Sequence, residues 1–276
     1  MNTLLNRLFL TLANLLSNKH GLRVFCGSCS GVALITFFLV AEKPSFADMQ
    51  PIDGFAIDRT EVTVGQFRKF VAATGYTTAA EKNGGGLAYG AGWEKMDGWV
   101  WSSPFGTAAK SDEPAVHVTF DDAKAYCSWN GKRLPRDKEW AKAAFTEFRS
   151  NPPPPFVTGV TYPYPTGDTP EGANCLNDCG LTPAIDYSAQ LSRGIGHALV
   201  GTTKADVNGL FDMGANVWEW TKNGGLNEKR TRGGSWWYGS FCMRADDRAT
   251  KSKDMAVVYI GFRCIKETQQ HKLTWE

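Results

Sequence analysis

Glycine and tryptophan recur together along most of the chain, and this feature constrains the fold more than any other. The 276 residues include 29 glycines and 10 tryptophans, with few long periodic stretches. Glycine is the default residue of tight turns and weakens the interiors of helices and strands. The sequence therefore predicts a fold dominated by turns and irregular loops. Such a fold needs stabilising interactions other than those within helices and sheets.

The composition is that of an ordinary globular protein. Apolar residues make up 42% and charged residues 21%, which excludes intrinsic disorder. The formal net charge of +2 argues against a protein that binds nucleic acid or anionic lipid over a large surface. No linker divides the chain after residue 47, so we expect one domain over residues 48–276.

The first 47 residues have the pattern of a signal peptide. Basic residues precede an apolar stretch at 31–41, and Ser-Phe-Ala at 45–47 supplies the small residues of a cleavage site. We expect cleavage after residue 47, which would place the mature chain in the periplasm or outside the cell. The alternative is an uncleaved anchor, because residues 24–41 form an uncharged stretch at the lower edge of a membrane span.

The cysteine count becomes informative once this segment is removed. Five of the seven cysteines then remain: Cys127, Cys175, Cys179, Cys242 and Cys264. Disulfides persist in the oxidising compartments that exported proteins meet, and an odd count leaves at least one thiol unpaired. Cys175 and Cys179, spaced C-x3-C, fit a local disulfide. The alternative is a metal pair, although the chain has no second pair at zinc spacing.

Local signals predict three helices. Thr63 and Gln66 form a capping box ahead of apolar residues at helical spacing, and Gly75 ends that helix. A second helix follows a similar start over residues 119–129. A third is predicted over residues 135–144, with Pro135 as its first residue.

Five sequence blocks occur in order along the chain. They are GFAIDRTEVTVGQFRKFVAATGY (54–76), EPAVHVTFDDAKAYCSWNGKRLPRDKEW (113–140), NGLFDMGANVWEW (208–220), RGGSWW (232–237) and GFRC (261–264). This succession resembles the formylglycine-generating enzyme (sulfatase-modifying factor) family, from about residue 50 to 265. The resemblance implies an α+β fold: a single irregular domain related to C-type lectins, with low regular secondary structure.

The resemblance also suggests where the chemistry lies. The best-known members use O2 and a copper(I) ion held by two cysteines to oxidise a sulfatase cysteine to formylglycine. Cys242 matches the second of these cysteines, and Ser235 matches an active-site serine that helps to handle oxygen. Where the first cysteine should stand, the chain has Trp-Tyr-Gly at 237–239 and one residue fewer. Because two thiolates suit Cu(I), a Cu+ centre here would lack one of its two cysteine ligands. The alternative for Cys242 is a buried, inert thiol.

A calcium site is a second implication of the resemblance. The motif NGLFDMGANVWEW matches a family site in which Asp212 and Glu219 would bind Ca2+ through their side chains. Ala215 and Val217 would supply backbone carbonyls. Hard oxygen donors at this density suit Ca2+. The alternative is a pair of solvated carboxylates in a turn.

Two further features follow from the same resemblance. Cys127 and Cys264 match positions that the family joins by a disulfide. A second calcium site of the family would begin at Asn174 and the carbonyl of Cys175. Its later acidic ligand has no clear counterpart near residues 192–194.

These observations predict an exported oxidase of the formylglycine-generating type. It would use O2 to mature a partner-protein cysteine or a peptide-derived product, such as a siderophore precursor, in the periplasm. The missing cysteine favours a specialised tailoring oxidase over a sulfatase activator. The alternative is a non-catalytic, calcium-stabilised binding or assembly module on the same fold. An iron site of three histidines is not expected, since only His117, His197 and His271 follow residue 47.

Overall fold

The computed structural model describes residues 49–268, all within one compact unit. The predicted signal peptide, with Cys26 and Cys29, lies outside the described residues, as does His271. Regular elements are short in the described part: the longest helix has 11 residues and the longest strand has 7. No helix between residues 49 and 268 is long and apolar enough to cross a membrane. The predicted α+β fold with low regular secondary structure is confirmed.

The first helix, α1, spans Val64–Thr74 and has the predicted boundaries. The Thr63 hydroxyl accepts from the Gln66 N–H, and the Gln66 side chain accepts from the Thr63 N–H. Gly75 ends the helix in the left-handed conformation, at φ 67°. Both signals lie within a few residues of the boundary that they set, which explains why they could be predicted.

Two more helices begin with the same kind of cap. The short helix α2, Ala79–Lys82, follows Thr78 and was not predicted. Helix α3 spans Phe120–Trp129, as predicted, with Thr119 as its N-cap. The Asp122 carboxylate accepts from the Thr119 N–H and hydroxyl at 2.8 and 2.7 Å.

Helix α4 spans Asp137–Phe145, so the prediction that Pro135 opens it is wrong. Arg136 is the N-cap, with an extended backbone at φ −71° and ψ 156°. The Glu139 carboxylate accepts from the Arg136 N–H at 2.6 Å. This bond satisfies the Arg136 N–H outside the helix, and the first turn therefore starts two residues after the proline.

The strands form three separate small sheets. They are β1 (Met49–Pro51), β2 (Phe55–Asp58), β3 (Gly85–Tyr89), β4 (Trp93–Asp97), β5 (Trp218–Gly224), β6 (Glu228–Arg232), β7 (Ala249–Ser252), β8 (Ile260–Gly261) and β9 (Ile265–Glu267). The sheet orders are β1-β2-β9, β3-β4 and β7-β6-β5-β8. Only the β5–β8 pair is parallel among the strand pairs of residues 49–268.

Aromatic side chains build the main core between α1, α3 and the C-terminal strands. The Phe67 and Tyr126 rings stack with centroids 5.6 Å apart, and Phe262 meets both rings edge-on. The disulfide Cys127–Cys264 joins α3 to the segment between β8 and β9, with Cα atoms 5.7 Å apart. The C-terminal segment is therefore fixed covalently to the helical layer, and it carries Arg263 into the interior.

Candidate functional site

Cys242 lies in a single turn of 3-10 helix, Ser240–Met243, which follows the Gly-Gly-Ser segment. It is the free cysteine of the described residues and only 7% exposed. Burial raises the pKa of the Cys242 thiol to about 12, and the Asp247 carboxylate adds to this, while the Lys251 ammonium opposes it. The sulfur is therefore a neutral thiol at pH 7, and a bound cation would favour its ionisation.

The Gly-Gly-Ser segment packs directly against Cys242. Gly234 has φ +79°, and a Cβ atom there would lie 3.2 Å from the Cys242 Cβ. A side chain at this position would be strained and crowded, so glycine permits the close approach. Ser235 is fully buried, and its carbonyl accepts from the Tyr238 N–H at 2.9 Å. The structure thus brings Ser235 into the segment that contacts Cys242.

An aromatic surface is formed by Tyr89, Trp93, Trp237 and Tyr259, and the last two share a buried core cluster with Cys242. The Trp237 ring centroid lies 5.9 Å from that of Tyr259 and 6.5 Å from that of Tyr89. Tyr89 and Trp93 are 43% and 46% exposed, whereas Trp237 is 6% exposed. The Arg193 guanidinium lies 5.8 Å from the Trp237 centroid. The surface therefore offers exposed rings and a cation to a ligand.

Trp236 packs behind this surface. Its ring meets Trp237 at 5.4 Å and Phe105 at 6.3 Å, and it is 2% exposed. Its position is that of a core residue.

The predicted calcium ligands Asp212 and Glu219 are both buried. The Asp212 carboxylate accepts from the Gly201 N–H at 2.7 Å and from the Thr203 hydroxyl at 2.6 Å. The Glu219 carboxylate accepts from Arg263 Nε at 2.8 and 2.9 Å. It also accepts from the Trp140 indole N–H at 2.7 Å. Burial raises the pKa of both carboxyl groups.

The predicted carbonyl ligands have the chemistry that a hard cation requires. Ala215 and Val217 are fully buried. No hydrogen-bond donor from residues 49–268 reaches either carbonyl oxygen. Buried carbonyl groups normally have a partner. Two such oxygens, with two buried carboxylates in the same segment, fit a Ca2+ ion.

Glu61 and Asp206 were not identified from the sequence, but both belong to this buried acidic cluster. The Glu61 carboxylate accepts from the Val217 N–H at 3.1 Å. Burial and the nearby Asp212 charge raise the pKa of Glu61 well above its usual value. Asp206 accepts from the Met213 N–H at 2.8 Å, and the same two causes raise its pKa to about 8. Glu61 has no local motif, because its partner Val217 lies 156 residues away. Asp206 was missed although its partner Met213 is only 7 residues away.

Arg263 is the basic side chain that pairs with this cluster. Its Nη2 lies 2.7 Å from Glu219 Oε1, and the same atom donates to the Phe211 carbonyl at 2.8 Å. Both Arg263 and Glu219 are no more than 1% exposed. One guanidinium cannot neutralise four buried carboxylates, so the raised pKa values of Glu61, Asp206, Asp212 and Glu219 favour their protonated forms. A further cation at this cluster would favour the ionised forms instead.

Asn174 contacts the first calcium motif directly. Its side-chain amide donates to Asn216 Oδ1 at 3.0 Å, and its backbone carbonyl accepts from the Asn216 N–H at 3.0 Å. The Asn174 amide donates to the Gly196 carbonyl at 3.1 Å, and its oxygen accepts from the Thr182 hydroxyl at 2.9 Å. Cys175 is in a disulfide with Cys179, with Cα atoms 5.7 Å apart. Both predicted disulfides are thus present, and the C-x3-C pair is not in the thiol form that a metal would need.

His117 and His197 are fully buried and hold loops together. His197 Nε2 lies 2.9 Å from the Glu113 carboxylate, which also accepts from the Tyr187 hydroxyl at 3.0 Å. His117 Nε2 lies 2.9 Å from the Pro104 carbonyl oxygen. Each histidine therefore has a structural partner in the protein.

Known proteins provide an independent comparison with this geometry. Residues 37–268 match the model of the sulfatase-modifying factor enzyme 1-like domain. A formylglycine-generating enzyme of Mycobacterium tuberculosis is 29% identical, over 78% of this chain and 88% of that protein. An inactive C-alpha-formylglycine-generating enzyme 2 of Bos taurus is also 29% identical, over 76% of each chain.

Solved structures share the fold, and PvdO is one of them. PvdO of Pseudomonas aeruginosa superposes with a TM-score of 0.53 at 20% identity, over 78% of this chain and 80% of that one. At this identity the likeness shows the fold alone. The family match covers most of the chain and includes the Gly-Gly-Ser segment, the acidic motif and the C-terminal GFRC. The chain belongs to the sulfatase-modifying factor (formylglycine-generating enzyme) family.

Proposed function

We propose that this chain is an exported oxidase of the formylglycine-generating type. It uses O2 to mature a partner-protein cysteine or a peptide-derived product, such as a siderophore precursor, in the periplasm. The observation that carries the proposal is the buried, unpaired Cys242 on a turn packed against the Gly-Gly-Ser segment. The chain retains this turn in a family that contains oxidases, although one family cysteine is missing.

Cys242 has the role of redox or metal-binding residue in this proposal. The other four cysteines of the described part are in disulfides, so this part offers one thiol and does not fit a two-cysteine copper centre. A single thiolate is a weak Cu(I) site, and the thiol of a substrate cysteine is the soft donor that would complete it. Bound copper would supply the O2 chemistry. Ser235, beside the contacting Gly234, helps to handle O2.

The aromatic surface supports a peptide or peptide-derived substrate. Tyr89 and Trp93 are exposed large rings next to Trp237, and such rings are enriched where proteins bind other molecules. Trp237 and Tyr259 of this surface share a buried core cluster with Cys242. A substrate seated on these rings would therefore reach the Cys242 region.

Calcium has a structural role in this proposal. Asp212, Glu219 and the carbonyls of Ala215 and Val217 would hold the ion, and Glu61 and Asp206 lie in the same acidic cluster. The bound ion would favour the ionised forms of these buried carboxyl groups and fix the segment between Leu210 and β5. This segment contacts the site, because a Cβ atom at Gly214 would lie 2.6 Å from Met243 Cε.

A non-catalytic binding or assembly module is the second candidate. It is favoured by the missing cysteine and by the raised pKa of the Cys242 thiol. It also agrees with the similarity to a family member named as inactive. On this account the aromatic surface would still bind a partner, and replacement of Cys242 would leave the function unchanged.

The test is aerobic turnover of cysteine peptides and siderophore-precursor peptides by copper-loaded protein, followed by mass spectrometry. We expect an oxidised product from the wild type and none from Cys242→Ser. The Arg244→Ala variant, which alters an exposed side chain next to the same turn, should retain turnover. Equal product from wild type and Cys242→Ser would contradict the proposed role of Cys242.

A further inference from the structure

The loop closed by Cys175–Cys179 lies directly on the turn that carries Cys242. We propose that Asp178, held in this disulfide loop, is a positioning residue for Cys242. The inference rests on the proposed function, in which Cys242 is the reacting side chain. It assigns a role to a C-x3-C segment that the proposed chemistry itself does not use.

Asp178 caps the Cys242 turn from a distant part of the chain. Its Oδ1 accepts from the Ser240 N–H at 2.9 Å, and its Oδ2 accepts from the Ser240 hydroxyl at 2.6 Å. Ser240 is the first residue of the turn, and its N-cap residue is Gly239, which has no side chain to accept a bond. The first N–H groups of a helix need such an acceptor. Asp178 therefore supplies the cap that the local sequence lacks.

The same loop contacts the turn at both of its ends. Before the turn, the Leu176 N–H donates to the Tyr238 carbonyl at 2.9 Å. After the cysteine, Met243 Sδ lies 3.7 Å from Cys179 Sγ. Met243 and Cys179 pack in one buried cluster with Ala215 of the proposed calcium segment. Three contacts thus fix the residues immediately around Cys242.

The disulfide keeps Asp178 in place for this role. Only three residues separate Cys175 from Cys179, and Cys175 Sγ lies 3.1 Å from Asp178 Oδ1. Closing so short a ring restricts the backbone on either side of Asp178, whose side chain is otherwise exposed. The loop can therefore hold an exposed carboxylate in one geometry at little further entropic cost.

The test measures the reaction rate of the Cys242 thiol with a disulfide reagent, 5,5′-dithiobis(2-nitrobenzoate), in the folded chain. Each variant is also made in a Cys242→Ser background, and the difference isolates Cys242 from Cys26 and Cys29. We expect Asp178→Ala to raise the Cys242 rate about tenfold, because the turn opens more often without its cap. The Cys175→Ser/Cys179→Ser double variant should change the rate in the same direction.

The matched control is Asp186→Ala. Asp186 accepts from the Ser188 N–H and hydroxyl at 2.9 and 2.6 Å, ahead of another 3-10 turn, Ser188–Gln190. The chemistry of this cap is the same, but its bonds go to Ser188 and not to the Cys242 turn, so the Cys242 rate should not change. Asp178→Asn keeps one acceptor oxygen and should give an intermediate rate.

A Cys242 rate in Asp178→Ala within about twofold of wild type would overturn the inference, because the turn would then not depend on its cap. If Asp178→Ala fails to fold, Ser240→Ala removes the side-chain bond alone and must still raise the rate. The measurement needs neither copper nor substrate. An unchanged rate would therefore leave the proposed oxidase standing, and an absence of peptide oxidation would leave this positioning role standing.

Discussion

His117 illustrates at the scale of one residue how burial controls charge in this protein. Its imidazole is fully buried, and burial lowers the pKa of His117 to about 4, against hydrogen bonds to Pro104 and Ala256 that raise it. The unfolded chain binds this proton near pH 6.5, whereas the folded chain does not. The contribution of the neutral, buried His117 to the free energy of unfolding is therefore fully present above pH 6.5, and it is lost as the pH falls towards 4.

As the pH falls from 6.5 to 4, we expect this histidine to lower the free energy of unfolding by about 1.4 kcal/mol per pH unit. Urea unfolding at a series of pH values measures the slope of the free energy of unfolding against pH. His117→Gln keeps an amide donor for the Pro104 carbonyl but does not titrate, so its slope should be smaller by about one proton. Since His197 is present in both proteins, its own contribution cancels. Equal slopes would contradict a neutral buried His117.

Asp212 is the residue through which the predicted calcium site can be tested. A site that binds Ca2+ only in the folded state stabilises it by about 2.7 kcal/mol at a hundred times the dissociation constant. We expect a chelator to lower the midpoint of thermal unfolding and added Ca2+ to restore it. Asp212→Ala should abolish the response, whereas Asp246→Ala, at an exposed ion pair with Arg244, should keep it. If neither the chelator nor added Ca2+ changes the midpoint of thermal unfolding of the wild type, the site is excluded.

Helix α3 shows at the scale of an element how much stability a local cap contributes. Thr119 is 4% exposed, and its hydroxyl accepts from the Asp122 N–H at 3.2 Å. Replacing such a cap by alanine costs about 1 kcal/mol. We therefore expect Thr119→Ala to lower the free energy of unfolding by about 1 kcal/mol in urea titration. Ser128→Ala, at an exposed position of the same helix, should have little effect. Equal losses in the two variants would contradict the cap.

Elements could be predicted from the sequence where their signals are local. The starts of α1 and α3 depend on side chains three residues apart, and Gly75 marks an end by its own conformation. The start of α4 was misassigned because proline indicates a permitted first residue, not a required one. In that helix the Glu139–Arg136 bond decides the boundary.

The candidate site was predictable only in part, for the same physical reason. Ser235 and the acidic motif were found because each lies in a family block, and Cys242 was found because it follows the RGGSWW block at 232–237. Glu61 meets Asn216 and Val217 across more than 150 residues, and Asp178 meets Ser240 across 62. These contacts exist only in the folded chain, so no local pattern in the sequence marks them.

Disulfides carry much of the stability at the scale of the whole molecule. Cys127–Cys264 closes a loop of 137 residues, whereas Cys175–Cys179 closes one of 4. In the chain-entropy model the longer loop contributes about 5 kcal/mol and the shorter about 2 kcal/mol. We expect Cys127→Ala/Cys264→Ala to lower the free energy of unfolding by the larger amount. A larger loss in the Cys175→Ser/Cys179→Ser variant would contradict this ranking.

The proposed role of Cys242 is that of a metal-binding or redox residue and not of an inert thiol. It can be tested by anaerobic titration of the purified protein with Cu(I), in parallel with Cys242→Ser. A cysteine peptide is added in a second titration to supply the missing donor. We predict one-to-one binding that tightens with the peptide and disappears in Cys242→Ser. Identical titrations of the two proteins, with and without peptide, would contradict the claim and favour the non-catalytic module.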